Sequence, residues 1–313
     1  MAQDTITIYY DNKWKEISDK DAASFYRKAF LDSNKVWAVR DCYISNKLQM
    51  EGTYKSKSLS VKNGHFVYYH ENGNKSSEGT YINDKRDGVW TFWYENGTKN
   101  YEGTFNNDRG EGTWRFWHES GEKKSEGQFV NDKREGIWTY WYESGEKKSE
   151  GKYVANNAEG TWNSFYKNGQ KESEGSFVKD KREGQWYYWF ENGQKQSEGN
   201  YLNDDKEGLW KYWYETGPYK CEESYKKGFL VSTAVCYYEN GKLSYKGEYE
   251  KGLRQGEWVF GNVDGRIIFK GSYSKGRMDG LWIRSFPKEN IRIYYKNGVL
   301  DGKQFGGIIR NRQ

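Results

Sequence analysis

The sequence predicts an all-β protein: a single-layer antiparallel array of β-hairpins, forming an elongated twisted ribbon with a 24-residue period, with one short N-terminal helix. Three observations predict it. Trp90, Trp114, Trp138, Trp162, Trp186 and Trp210 stand 24 residues apart; Trp258 and Trp282 fall on the same grid, Ala234 takes the vacant place and Phe66 extends it backwards. A fixed period of this length marks stacked supersecondary units that bury a face only against their neighbours. Within each period an E-N-G or E-S-G separates two short aromatic runs, as in GVWTFWYENGTKNYEGTFNNDRGEG at 88–112. The composition completes the case: rings make up 19% of a chain that is 35% hydrophobic, so any core is aromatic rather than aliphatic.

The organisation follows as a capping region over residues 1–63, about ten repeats over 64–286, and a cap and tail over 287–313. In the capping region TITIYY reads as a strand. Residues 19–30 read as a short helix, with Ser18 as N-cap and Asp21 at the third helical position. Strands are expected at 36–44 and 48–54.

In the repeats, Asn-Gly is the strongest two-residue hairpin signal, since a type I′ turn needs positive φ at both places. A turn at Asn96-Gly97 pairs Glu95 with Thr98 and Phe92 with Tyr101, and sets Trp90 opposite Gly103. A ring laid across a strand glycine covers the backbone which that glycine exposes. Pairing Phe105 with Trp114 across the longer N-D-K-R-E-G loop keeps the faces in step. One face then holds Trp90, Phe92, Tyr94, Gly103 and Phe105; the other holds Thr91, Trp93, Glu102 and Thr104. Two strands per unit advance the array by about 9.6 Å, so ten units make a ribbon of about 95 Å. The run IRIYYKNGVLDGKQFGG reads as a decayed terminal hairpin.

The residues WTFWYENG, EG and NDKREG, recurring over roughly 64–285, resemble the bacterial MORN-variant (YwqK-type) repeat, found in antitoxins and in envelope proteins of Bacteroidota. Residues 5–54 resemble the leader that precedes such repeats in envelope proteins. The resemblance implies a non-catalytic interaction module and brings no active-site motif to transfer.

The residues themselves narrow the function classes. Net charge is only +5, with Lys and Glu alternating in every repeat, which disfavours a nucleic-acid partner. No apolar run reaches transmembrane length. The three cysteines, Cys42, Cys221 and Cys236, make no disulfide framework and no C-x-x-C pair, and are read as structural thiols. His70 and His118 share a column two units apart, about 19 Å, too far to hold one metal; no metal, cofactor or catalytic residue is expected. The Glu column at 78, 102, 126, 150, 174 and 198 repeats one environment six times, whereas a catalytic pair of carboxylates needs two.

The informative column is Trp93, Trp117, Trp141, Phe165, Trp189 and Trp213, aromatic residues on the polar face of a single layer. Such stripes mark interaction surfaces, although neighbouring rings and lysine stems can instead cover one another. The expected function is a monomeric protein-binding scaffold in the cell envelope, secreted, or antitoxin-like; a module for glycan or wall polymer is the alternative. AQDT at the start resembles a mature terminus after signal-peptide removal, which favours the envelope over the cytoplasm.

Overall fold

The computed structural model describes residues 5–287 and 290–301, and the chain divides into two units, 1–157 and 158–313. Every described element is a β-strand, and the pairings within each unit are antiparallel, mostly between sequence neighbours. Residues 2–4 of the AQDT start and the tail from residue 302 lie outside the described residues.

The first unit opens with β1 (Ile6–Tyr10), β2 (Glu16–Ile17), β3 (Phe25–Leu31), β4 (Trp37–Tyr43) and β5 (Leu48–Tyr54). The expected helix over 19–30 is not there. Asp19 accepts the Asp21 N–H at 3.0 Å in a tight Asx turn, so the capping chemistry read from Ser18 and Asp21 closes a turn. Phe25 onward is β3, held between β1 (Thr7 opposite Lys28) and β4 (Arg27 opposite Asp41). Ala29 and Val39 are fully buried against Met50, Tyr54 and Phe66, and that packing overrides a local helical preference. The hairpin of β4 and β5 is itself repeat-like. Val39 lies opposite Gly52, and the Phe66 ring covers Gly52 so closely that a Cβ there would stand 2.3 Å from it.

Repeats follow as successive strands, for example Lys75–Ile82, Lys85–Trp93, Lys99–Asn106 and Arg109–Trp117. Phe92 lies opposite Tyr101 and Trp90 opposite Gly103, as the sequence predicts. The turns are exchanged, however. Both φ angles are positive at Asn83 (53°) and Asp84 (67°), so the tight two-residue turn is Asn-Asp, which joins one hairpin to the next. At E-N-G only Gly97 is positive (φ 88°): its N–H donates to Tyr94 O, and the Tyr94 N–H donates to Thr98 O, a three-residue loop with a bulge. Trp93 therefore pairs with Lys99, and the expected Glu95–Thr98 pair does not form. Likewise Phe105 faces Gly110 rather than Trp114, because the tight turn at Asn107-Asp108 starts the pairing at once; a bulge at positive-φ Gly112 then shifts the register by two. An even shift preserves the two faces.

The tryptophan grid is the core. Trp90, Trp210, Trp258 and Trp282 are at most 1% exposed. These rings lie over the glycine of the preceding strand rather than over the one that faces them on the following strand: Trp90 covers Gly79, Trp114 covers Gly103 and Trp138 covers Gly127. The indole N–H of Trp90 reaches Thr80 O at 3.1 Å, and that of Trp138 reaches Gln128 O at 3.2 Å, so these two buried rings have their polar atoms satisfied by the strand they lie on, whereas Trp114 Nε1 has no acceptor among the described residues.

The second unit repeats the pattern from the strand Asn157–Phe165 onward, with Trp186 over Gly175 and Trp258 over Gly247. The expected terminal hairpin is present where described, with Tyr295 opposite Leu300.

Candidate functional site

Both edges of each repeat are stitched to the next, and this removes several candidates. At the E-N-G edge, Asn96 accepts the Thr98 N–H through Oδ1 (2.9 Å) and donates from Nδ2 to Glu119 O in the following unit (3.0 Å). At the other edge, Asp108 Oδ1 accepts the Arg86 N–H (2.9 Å), while the Asn131 N–H donates to Glu111 (3.0 Å). The N-D-K-R-E-G side chains thus hold the array together.

His70 and His118 play the part that tyrosine plays elsewhere in their column. Tyr94 donates its hydroxyl to Trp117 O at 3.0 Å, and His118 Nε2 lies 3.3 Å from Trp141 O, where only a protonated nitrogen can bond.

The predicted stripe of Trp93, Trp117, Trp141, Phe165, Trp189 and Trp213 is half-buried throughout. Lysines roof it. Lys99 Nζ sits 5.2 Å from the Trp117 ring centre and Lys123 Nζ 5.2 Å from Trp141; in the second unit Lys171 lies 5.5 Å from Trp189 and Lys195 5.3 Å from Trp213. Each lysine is tethered to the glutamate three residues on, as Lys123 is to Glu126 at 2.7 Å. The Glu column is therefore the anchor of a Trp–Lys–Glu trio. Lys123's hydrogen bond, opposed by burial and helped by the charges of Lys123 and Arg115, holds the Glu126 carboxyl below its ordinary range. Beside the stripe stand aliphatic side chains with no cover: Val89 is 61% exposed and Ile137 62%. A recess of about 340 Å³ opens among Thr113, Lys123, Glu126, Gln128, Ile137 and Trp141.

Two features of the opposite, crowded face escaped the sequence reading. One is a row of cations lying on the core rings, including Arg86 over Phe105 at 3.9 Å and Arg182 over Tyr201 at 4.0 Å. The other is a disulfide. Cys221 and Cys236 lie directly opposite on neighbouring strands and are joined, with Cα atoms 4.2 Å apart, so the reading of these two as free structural thiols is corrected. Glu223 lies close by, but sulfurs bonded to each other are not available as metal ligands. The bridge stands in the unit where Ala234 replaces tryptophan and Glu223 replaces the covered glycine, and there it substitutes a covalent link for the missing ring. Cys42 remains a buried thiol.

The model of the MORN repeat variant matches residues 62–83, 86–107, 110–131, 134–155, 158–179, 182–203, 206–227 and 231–251, more than half of the chain. The chain belongs to the MORN repeat variant family. Each matched segment takes in two strands and the E-N-G loop between them, so the family unit is the hairpin described above. MORN repeats are in general interaction and binding modules. The hairpin of β4 and β5 and the strands Leu253–Gly261 and Ile267–Ser274 share the MORN geometry outside the matched segments. No curated protein matches the chain.

Proposed function

We propose that the chain is a non-catalytic scaffold that binds a protein partner on the stripe face, carried by Trp93, Trp117 and Trp141 in the first unit and by Phe165, Trp189 and Trp213 in the second, in an oxidising compartment such as the cell envelope or the exterior. The observation that carries this is the recess at Trp141. It has an apolar wall (Ile137, Trp141), a tethered ion pair (Lys123–Glu126) and threonine hydroxyls, the mixture that partner-binding surfaces present. Lysines lying on the rings compete with the stacking that a sugar needs, which sets the glycan reading behind the protein one. The disulfide supports the location, since such bonds persist outside the reducing cytosol, and it counts against a cytoplasmic antitoxin-like role.

The test is to change Trp117, Trp141 and Trp189 together to threonine. Each loses an exposed cation–π contact of about 0.5–1 kcal/mol, so the far-UV spectrum is expected to hold. Affinity for a partner purified by capture on the wild-type chain is expected to fall at least tenfold. Wild-type affinity in a folded triple variant would remove the stripe as the binding face.

A further inference from the structure

We propose that Gly110 and Ala158 each leave open a seat for a guanidinium group, and that each seat receives an arginine side chain of the protein partner. The inference rests on the reading of the chain as a protein-binding scaffold; the seats lie on the crowded face, opposite the Trp93 stripe, so the partner segment that fills them reaches this second face. Its basis is the comparison of one repeat with another.

In a complete unit the seat has three parts. The Arg86 guanidinium lies 3.9 Å over the Phe105 ring, its Nε pairs with Asp108 Oδ1 at 3.1 Å, and its backbone N–H donates to the same carboxylate at 2.9 Å. Arg182 repeats all three with Tyr201 (4.0 Å) and Asp204 (3.0 Å and 2.9 Å). Twenty-four residues after Arg86 the position is Gly110. Its N–H still donates to Asp132 Oδ1, at 2.6 Å, and Phe129 still faces Gly112 as Phe105 faces Gly88. Ring and carboxylate are in place and the cation is missing. Ala158 leaves the same vacancy: its N–H donates to Asp180 Oδ1 at 2.7 Å, and Phe177 faces Gly160. Among the described residues no cation lies over Phe129 or Phe177, and none is paired with Asp132 or Asp180.

A second observation marks the Gly110 seat. Trp114 is 8% exposed, and its Nε1 is the buried side-chain donor without an acceptor among the described residues. The ring edge beside that nitrogen floors the vacancy: a Cβ on Gly110 would stand 3.2 Å from Trp114 Cζ2 and 3.5 Å from Cε2. The seat therefore offers a carboxylate and a ring face to a planar cation, with the Trp114 indole beside it as a reporter. A guanidinium pairs with the one while stacking on the other, which a quaternary ammonium, with no hydrogen-bonding group, does not.

The experiment titrates the full ¹⁵N-labelled chain with acetyl-Gly-Arg-Gly-amide and with the same peptide bearing citrulline, the neutral isostere. The expected result is a saturable shift of the Trp114 indole and Gly110 amide signals with the arginine peptide only. Gly110→Arg, which supplies the cation from within, is expected to abolish the response at Trp114 and leave the one at Ala158. Asp132→Asn is expected to weaken it at least tenfold. That variant keeps the acceptor oxygen, as Asn156 does for the Arg134 N–H at 2.7 Å, so it decides the matter even if Gly110→Arg does not fold. No saturable shift, an equal response to citrulline, or an unchanged response in Asp132→Asn would overturn the proposal. Peptide binding that fails while partner capture persists removes the seats and spares the scaffold; binding that succeeds where capture fails does the reverse.

Discussion

At Gly127 a single hydrogen atom decides how the core closes. A methyl group there would stand 2.2 Å from Trp138 Cδ2, so the ring must leave its place. Gly127→Ala is expected to cost about 1–3 kcal/mol as overpacking, and Trp138→Ala about 3–5 kcal/mol as lost burial. Urea denaturation followed in this unit measures both. The opposite face gives a pH prediction. Glu126 has a folded-state pKa below its ordinary 4.5, so its contribution is fully present above that value and is lost as pH falls through the folded one. The Trp141 ring signals should then titrate with Glu126, with a midpoint under pH 4.5; a midpoint above it would separate the ring from the trio. The sequence made both faces legible because Trp90, Gly103 and Trp93 recur in fixed columns. It could not show that Trp90 leans back over Gly79, because lean is a rotamer choice that register leaves open.

Among the elements, hairpin existence was readable and turn type was not. Asn-Gly carries the stronger local signal, yet Asn83-Asp84 takes the tight turn, because both residues tolerate positive φ and Asp84 Oδ1 gains the Lys62 N–H of the preceding strand. The same miss hid the disulfide. The register expected from the sequence sets Cys221 opposite Tyr238, and the tight turn at Lys227-Gly228 alone would set it opposite Ala234; the two-residue shift at positive-φ Ser232 brings Cys236 there instead. The helix expected over 19–30 fails for a related reason, since two flanking strands outbid a capping pattern. The repeat-like hairpin of β4 and β5 went unseen because Tyr54 to Phe66 spans three residues more than Tyr81 to Trp90. A test belongs at this scale. Opening a loop closed over a separation of 15 residues forfeits about 3 kcal/mol. Reduction is therefore expected to raise amide exchange in Tyr219–Lys226 and Phe229–Tyr237, while Lys99–Asn106 is unaffected. Uniform loss of protection would contradict it.

Within each unit of the whole molecule a strand pairs only with strands close to it in sequence, so damage should stay near its source. Trp138→Ala is expected to loosen the strands around Lys133–Trp141, and Trp282→Ala those around Arg277–Ser285; hydrogen exchange resolved by peptide checks that neither change reaches the other. The stitched edges add a constraint of a different kind. Every bond that Asn96 or Asp108 makes to an adjacent hairpin counts residues, 23 forward in one case and 22 back in the other. A gene encoding the stitched repeats keeps every such bond when it grows or shrinks in steps of 72 nucleotides, since an in-frame deletion that moves a glycine out of its column strands an indole above a side chain; the three extra residues between Tyr54 and Phe66 lie ahead of the matched repeats and leave Phe66 over Gly52. Copy number is free to drift; the reading interval is not.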